Sequence, residues 1–289
     1  MRLAAVILLF KEQAFIEACV RAIYPVVDSI CCASQYDRNI SGEEMAPDQS
    51  IHVLLNIPDP QNKIRVVVSR DVSHYPGLDD AGRMRNAARQ LDPQANYYLI
   101  VDSDEVWPAD VLREAWAEVQ RSQWAAYRVS SYTYFRKWNY RVVEPGNGYR
   151  PLVFLRQGFD FANDRQVNWR GPARWKEYFR KGRKPKMVYL PPELRLHHGS
   201  SVGDDARMTT KLDNYSHAGG VDPAWFDRVW KNFHPGMRDF HYFTGQGGLY
   251  ESVIEIPTPD LPEEVRRCRW PEGWIDSPAP AQGKGALVN

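Results

Sequence analysis

No stretch of this 289-residue sequence approaches the roughly 18 consecutive apolar residues that a membrane-spanning helix needs. The opening apolar run, Leu3 to Phe10, is short and meets Lys11-Glu12 with no small-residue cleavage site after it. It therefore reads as an interior strand of a soluble protein and not as a secretion signal. Cysteine is scarce. Cys19, Cys31, Cys32 and Cys268 show no metal-ligand spacing, and two of them are neighbours in an apolar run. That pattern fits reduced, mostly buried thiols in a cytoplasmic protein better than a disulfide framework. An excess of charge of either sign is also missing: 37 Lys and Arg against 36 Asp and Glu leave a formal net charge of +1. No global field points to a polyanionic partner, so charge has to be read locally. Glycine is absent from "LLFKEQAF", where a glycine-rich phosphate loop would follow a first strand. There is no internal repeat.

What the sequence does contain is an alternation. Apolar runs at Ala4–Phe10, Ser29–Ala33, Ile64–Val68 and Tyr97–Val101 are strand candidates. Between the first two, Ile16, Cys19, Val20 and Ile23 recur at the spacing of one helix face. Met84, Ala87, Ala88 and Leu91 repeat it, with Asp79 or Asp80 placed to cap that helix, and Leu112, Ala115, Trp116 and Val119 repeat it again after Pro108. Strands alternating with single amphipathic helices predict an α/β fold, with a mostly parallel sheet flanked by helices. From about Trp124 the pattern becomes alternating and aromatic, as in antiparallel or edge strands, with a further helix over Asp205–His217. The expected organisation is a first half over 1–123, a second half of the same domain over 124–256, and a Pro-rich extension over 257–289 whose end reads as disordered.

One stretch stands out. "YYLIVDSDEVW" runs from an apolar strand into Asp102, Asp104 and Glu105. Like charges this close are unfavourable without a metal ion, basic side chains or solvent beside them. In open parallel sheets, ligands bind beyond the carboxyl ends of the strands, where Asp102 and Asp104 would sit. Residues i and i+2 of an extended chain share a face, so both carboxylates could face one Mg²⁺ or Mn²⁺ ion. Asp102 lies too far upstream to cap a helix beginning near Pro108.

The series "VILLFKEQAFIEACVRAI", "GRMRNAARQL" and "YYLIVDSDEVW" resembles the GT-A-fold nucleotide-sugar glycosyltransferases, particularly the family-two-like branch. The match covers roughly residues 3–120, with a weaker echo at "LRLHHGSSVGDDARMTTKLDNYSH". The resemblance implies a metal-dependent transferase that moves a sugar from a nucleotide-sugar, a UDP-sugar by preference, to a hydroxyl acceptor. It assigns donor contacts to Lys11, Glu12, Arg85, Asn86, Asp102 and Ser103, and to Asp37 and Asp71 after the second and third strands. Asp102 and Asp104 become metal ligands, with His197 or His198 as a further ligand; the two histidines point to opposite faces if extended, so at most one reaches the ion. An inverting member also needs a carboxylate base, for which Glu177 in "RWKEYF" is the first candidate and Asp164 and Glu105 are reserves. In place of the family's Asp and Ser/Thr-Asp after the second strand, this chain has "ASQYDRNISG". Readings from other classes are a nucleotidyltransferase on the same type of sheet, which the missing glycine loop disfavours, and a non-catalytic glycan- or nucleic-acid-binding module.

The segment Trp169–Lys186 carries eight Lys and Arg against the single acid Glu177, interleaved with Trp169, Trp175, Tyr178 and Phe179. Such a run is usually a solvated loop, but the rings favour an anionic partner. The acceptor expected from it is an anionic polymer, either an acidic glycan or DNA carrying a hydroxymethylated base.

Overall fold

Strand β1 (Leu3–Leu9) is apolar along its whole length because both of its faces are covered. In the computed structural model, Leu3, Ala5, Ile7 and Leu9 enter one hydrophobic layer, while Ala4 and Val6 enter another on the opposite side of the sheet. The structure describes residues 1–34, 44, 46–68, 80–145, 148–169, 172–182, 186–214, 221–242 and 250–277. Helix α1 (Ile16–Ile23) presents Ile16, Cys19, Val20 and Ile23 to the first layer, the face its spacing predicts. Strands β2 (Ser29–Ser34) and β3 (Ile64–Val68) follow, with a short helix α2 (Ser50–Leu55) between them that buries Ile51 and Leu54 and that the sequence reading did not single out. Helix α3 (Asp80–Arg89) covers the other face through Met84 and Ala88; Asp79 lies outside the described residues. Strand β4 (Tyr97–Asp102), the two-residue strand β5 (Glu105–Val106) and helix α4 (Ala109–Ser122) complete the first half.

The second half divides between the first sheet and a second one. Strands β6 (Ala126–Arg128) and β8 (Leu152–Arg156) extend the first sheet, while the 14-residue β7 (Ser130–Val143) leaves it for a second one. A small ribbon, β9 (Asp160–Phe161) and β10 (Val167–Asn168), precedes helix α5 (Pro172–Lys181). The basic, aromatic segment is thus helical at its centre. Strands β11 (Met187–Tyr189) and β12 (Arg195–Val202), helix α6 (Asp205–Asn214), strand β13 (Ser252–Glu255) and the short helix α7 (Glu263–Arg266) follow. The main sheet has the order β11-β6-β8-β4-β1-β2-β3, and the second β13-β7-β12-β5. β3, β2, β1 and β4 run parallel, and β8 joins β4 antiparallel. The fold is therefore mixed α/β, with a largely parallel central sheet flanked by helices.

The Pro-rich extension is folded against the body as far as it is described. Leu261, Val265 and Trp274 are buried with Phe15 and Trp138, and the Trp138 amide donates to the Trp274 carbonyl at 2.9 Å. Of the tail expected to be disordered, residues 276–289, Asp276 is described and pairs with Lys137 at 2.7 Å, while residues 278–289 lie outside the described residues. No described helix is long and apolar enough to cross a membrane. Cys19, Cys31 and Cys32 are free and buried, and Cys268 is free and partly buried.

Candidate active site

The chain runs β1, β2, β3 outward in one direction and then crosses to β4 on the other side of β1. Loops at the carboxyl ends of β1 and β4 must diverge there, which opens a crevice at the switch point. Asp102 is paired with Leu8 of β1 at that edge. Alternation decides where it points: Tyr98 and Ile100 face the layer beneath α3, and Asp102 continues that face toward Arg85. The resulting cleft of about 570 Å³ is lined by, among others, Lys11, Glu12, Asp102, Asp104, Arg207 and Lys211.

The three acids are answered by basic side chains. Asp102 Oδ1 accepts from Arg85 at 2.6 Å, and its Oδ2 lies 3.0 Å from Arg165. Arg165 also reaches Glu105, which is fully buried, at 2.7 Å, and Arg85 pairs with Asp164. Asp104 Oδ2 accepts from Lys211 at 3.1 Å, and Arg207 holds both oxygens of Glu12 at 2.9 and 3.0 Å. Arg207 and Lys211 share one face of α6 because they are four residues apart. Asp204 accepts from the Arg207 amide at 2.8 Å and starts the helix there.

These contacts set the protonation states. Burial raises the pKa of Asp104, but Lys211, His198 and Arg207 outweigh it and hold the carboxyl well below the usual range. Burial likewise opposes ionisation of Asp102, and Arg165 and Arg85 overcome it. Burial wins at Glu105, pushing it up to about 7 against Arg165, and it also raises Glu12 despite Arg207. Burial pushes His198 down to about 4, against the pull of Asp104, so its imidazole is neutral at pH 7.

The two histidines separate as the extended backbone requires. His198 pairs with Glu105 and turns Nε2 toward Asp104 Oδ1, 3.7 Å away, while its ring stacks on Tyr149. His197 turns to the other face, where its Nδ1 is hydrogen-bonded to Tyr134 Oη at 2.6 Å and burial lowers its pKa to about 3. His197 is therefore a core residue and does not face the acids. Gly199 follows at a bulge in β12, and its amide donates to the Asp104 carbonyl at 2.8 Å.

Other expected residues fall differently. Lys11 and Glu12 line the cleft, Lys11 with a left-handed backbone (φ 54°) and its ammonium on the Ala46 carbonyl at 2.5 Å. Ser103 donates to the Leu8 carbonyl at 3.0 Å and ties the acidic turn to β1. Asn86 turns away from the cleft: its Oδ1 accepts from the Phe161 amide at 3.1 Å, a bond that fixes the ribbon. Asp164 lines the cleft and is half exposed. Glu177 falls on α5, and its side chain, like Asp37 and Asp71, lies outside the described residues. Three site residues escaped the sequence reading: Arg165, Arg207 and Lys211. The last two carried a signal, an Arg and a Lys at helical spacing just after the histidine pair.

No three His, Cys, Asp or Glu side chains gather as a metal site among the described residues. Asp104 and His198 make a pair. Their separation is too long for a hydrogen bond, and the buried Nδ1 of His198 has no hydrogen-bond partner.

No protein-family model and no curated protein matches the sequence. Solved structures do. S. aureus TarS 1-349 in complex with UDP-GlcNAc is 14% identical with a TM-score of 0.37, over 54% of this chain and 46% of that one. Glucosyl-3-phosphoglycerate synthase from Mycobacterium tuberculosis, in complex with Mn²⁺ and UDP-glucose, is 16% identical with a TM-score of 0.32, over 46% of this chain and 43% of that one. Both are GT-A-type glycosyltransferases. The match spans somewhat less than half the length of either.

Proposed function

We propose that the cleft binds a nucleotide-sugar, with a UDP-sugar as the first candidate, together with Mn²⁺ or Mg²⁺, and transfers the sugar to a hydroxyl acceptor. The observation that carries this reading is an ionised Asp104 facing a neutral His198 at the switch point of the sheet. Carboxylate oxygen and neutral imidazole suit such an ion, and donor phosphates commonly complete its shell. When bound, the ion stabilises negative charge on the departing nucleoside diphosphate. Asp104 and His198 would hold it. Asp102 is the weaker ligand, because Arg85 and Arg165 engage both of its oxygens.

The remaining roles belong to the chain's own side chains. Arg207 and Lys211, now paired with Glu12 and Asp104, would turn to the diphosphate and neutralise it. Asp164, on the cleft wall, is the group assigned to take the acceptor's proton, with Glu177 the second candidate.

The test is nucleoside diphosphate release from a panel of UDP-, GDP- and TDP-sugars in Mn²⁺. A UDP-sugar should be turned over, EDTA should stop the reaction, and Mn²⁺ should restore it in the wild type but not in Asp104→Ala. Full activity in EDTA contradicts the metal assignment. No release from any donor contradicts the transferase reading.

A further inference from the structure

Helix α5 has its exposed face where a surface helix does not usually keep its large rings. Pro172, Trp175, Lys176 and Phe179 fall at i, i+3, i+4 and i+7, one continuous stripe, and all four are exposed. Phe179 is 79% exposed, Trp175 61% and the adjoining Tyr178 43%, so two successive turns present three rings to water. The helix makes no extended contact with another described helix or strand. Large rings grouped in this way mark an interaction surface, whereas singly scattered ones do not.

Charge identifies the kind of partner. Residues 170–186 carry eight of the chain's 37 basic residues and one acid, whereas the whole chain is nearly neutral. The partner is therefore anionic and offers an apolar phase. Ring geometry separates a bilayer from a nucleic acid. Tyr178 and Phe179 meet edge to face, at 81° and 5.9 Å between centroids, so they do not form the parallel platforms on which successive bases stack. A short basic helix with Trp and Phe on one face is instead the form of a segment that lies in a membrane interface, rings in the acyl boundary and cations among the headgroups.

We infer that α5 docks this protein on an anionic lipid surface, with Trp175 and Phe179 inserted and the flanking Lys and Arg on the headgroups. This surface is independent of the transferase reading, and its test reads binding and not turnover. The full-length protein is sedimented with vesicles of phosphatidylcholine alone and of phosphatidylcholine with 30% phosphatidylglycerol. Wild type should bind the anionic vesicles and not the neutral ones, and 0.5 M NaCl should weaken that binding severalfold, as screening requires. The Trp175→Ala/Phe179→Ala double variant should bind at least about tenfold more weakly, because each ring loses its apolar burial. Both side chains are exposed, so circular dichroism should show the variant folded as wild type. Equal binding to both vesicle types, no binding to either, or undiminished binding by the folded variant overturns the inference. So does duplex DNA that binds tightly while anionic vesicles do not.

Discussion

Arg165 shows how a single side chain makes this acidic site possible. It is 7% exposed and lies between Asp102 and a Glu105 that is entirely buried. Removing one partner of such a pair strands the other charge in a poorly solvated place, which typically costs about 3–5 kcal/mol. Arg165→Ala should therefore destabilise the protein by that order in urea denaturation. The Arg165→Met/Glu105→Gln double variant should recover part of the loss, because no unpaired charge then remains at Glu105. A loss below about 1 kcal/mol for the single variant would show that Arg165 is dispensable to the cluster. Asp102 and Asp104 were legible in the sequence because an apolar strand ending in acids has few explanations. Which explanation holds was not: Arg85 lies 17 residues upstream of Asp102, but Arg165 and Lys211 come from segments 60 and more residues away, and no local pattern links those two to the acids.

Among the elements, β12 carries the most local constraint. Its extended backbone turns His198 toward Asp104 and His197 onto Tyr134, and a bulge follows between His198 and Ser201. Gly199 fits there because a Cβ would stand 2.8 Å from ring atoms of Phe15 and of Trp138, both buried in the core. Gly199→Ala should thus force these rings apart and cost about 1–3 kcal/mol, read by thermal or chemical denaturation. It should also weaken the bond from its amide to the Asp104 carbonyl. A stability within about 0.5 kcal/mol of wild type would mean that the bulge relaxes easily. The parallel strands were readable to within a residue or two, since β1, β2 and β4 are buried on both faces as plain apolar runs and the edge strand β3 is still mostly Val and Ile. Helix α5 was not, because its cations hide a helical stripe whose rings face water. The folded part of the extension was hidden by its prolines, although Leu261, Val265 and Trp274 supply an apolar surface to bury.

Across the whole molecule, burial keeps histidines neutral well away from the cleft as well as within it. His241, stacked on Tyr242 and against Tyr250 at the edge of the aromatic cluster around Phe135, has its pKa pushed down to about 4 by burial. The unfolded chain takes up a proton near pH 6.5 and the folded one does not, so this residue's contribution is present above that pH and is lost as pH falls toward 4. Wild-type stability should fall across that window more steeply than that of His241→Gln, the difference approaching about 1.4 kcal/mol per pH unit. Parallel curves for the two proteins would contradict the assignment.

The account's central claim is that a nucleotide and a divalent ion bind together at Asp104 and His198. Calorimetric titration of UDP in Mn²⁺ and in EDTA, on wild type, His198→Ala and His197→Ala, tests it most directly. Wild type should bind UDP at least about tenfold more tightly in Mn²⁺, a coupling of roughly 1.4 kcal/mol. His198→Ala should lose that difference, and His197→Ala, if it remains folded by circular dichroism, should keep it. UDP that binds equally well in Mn²⁺ and EDTA, or a coupling that survives His198→Ala, would contradict the claim.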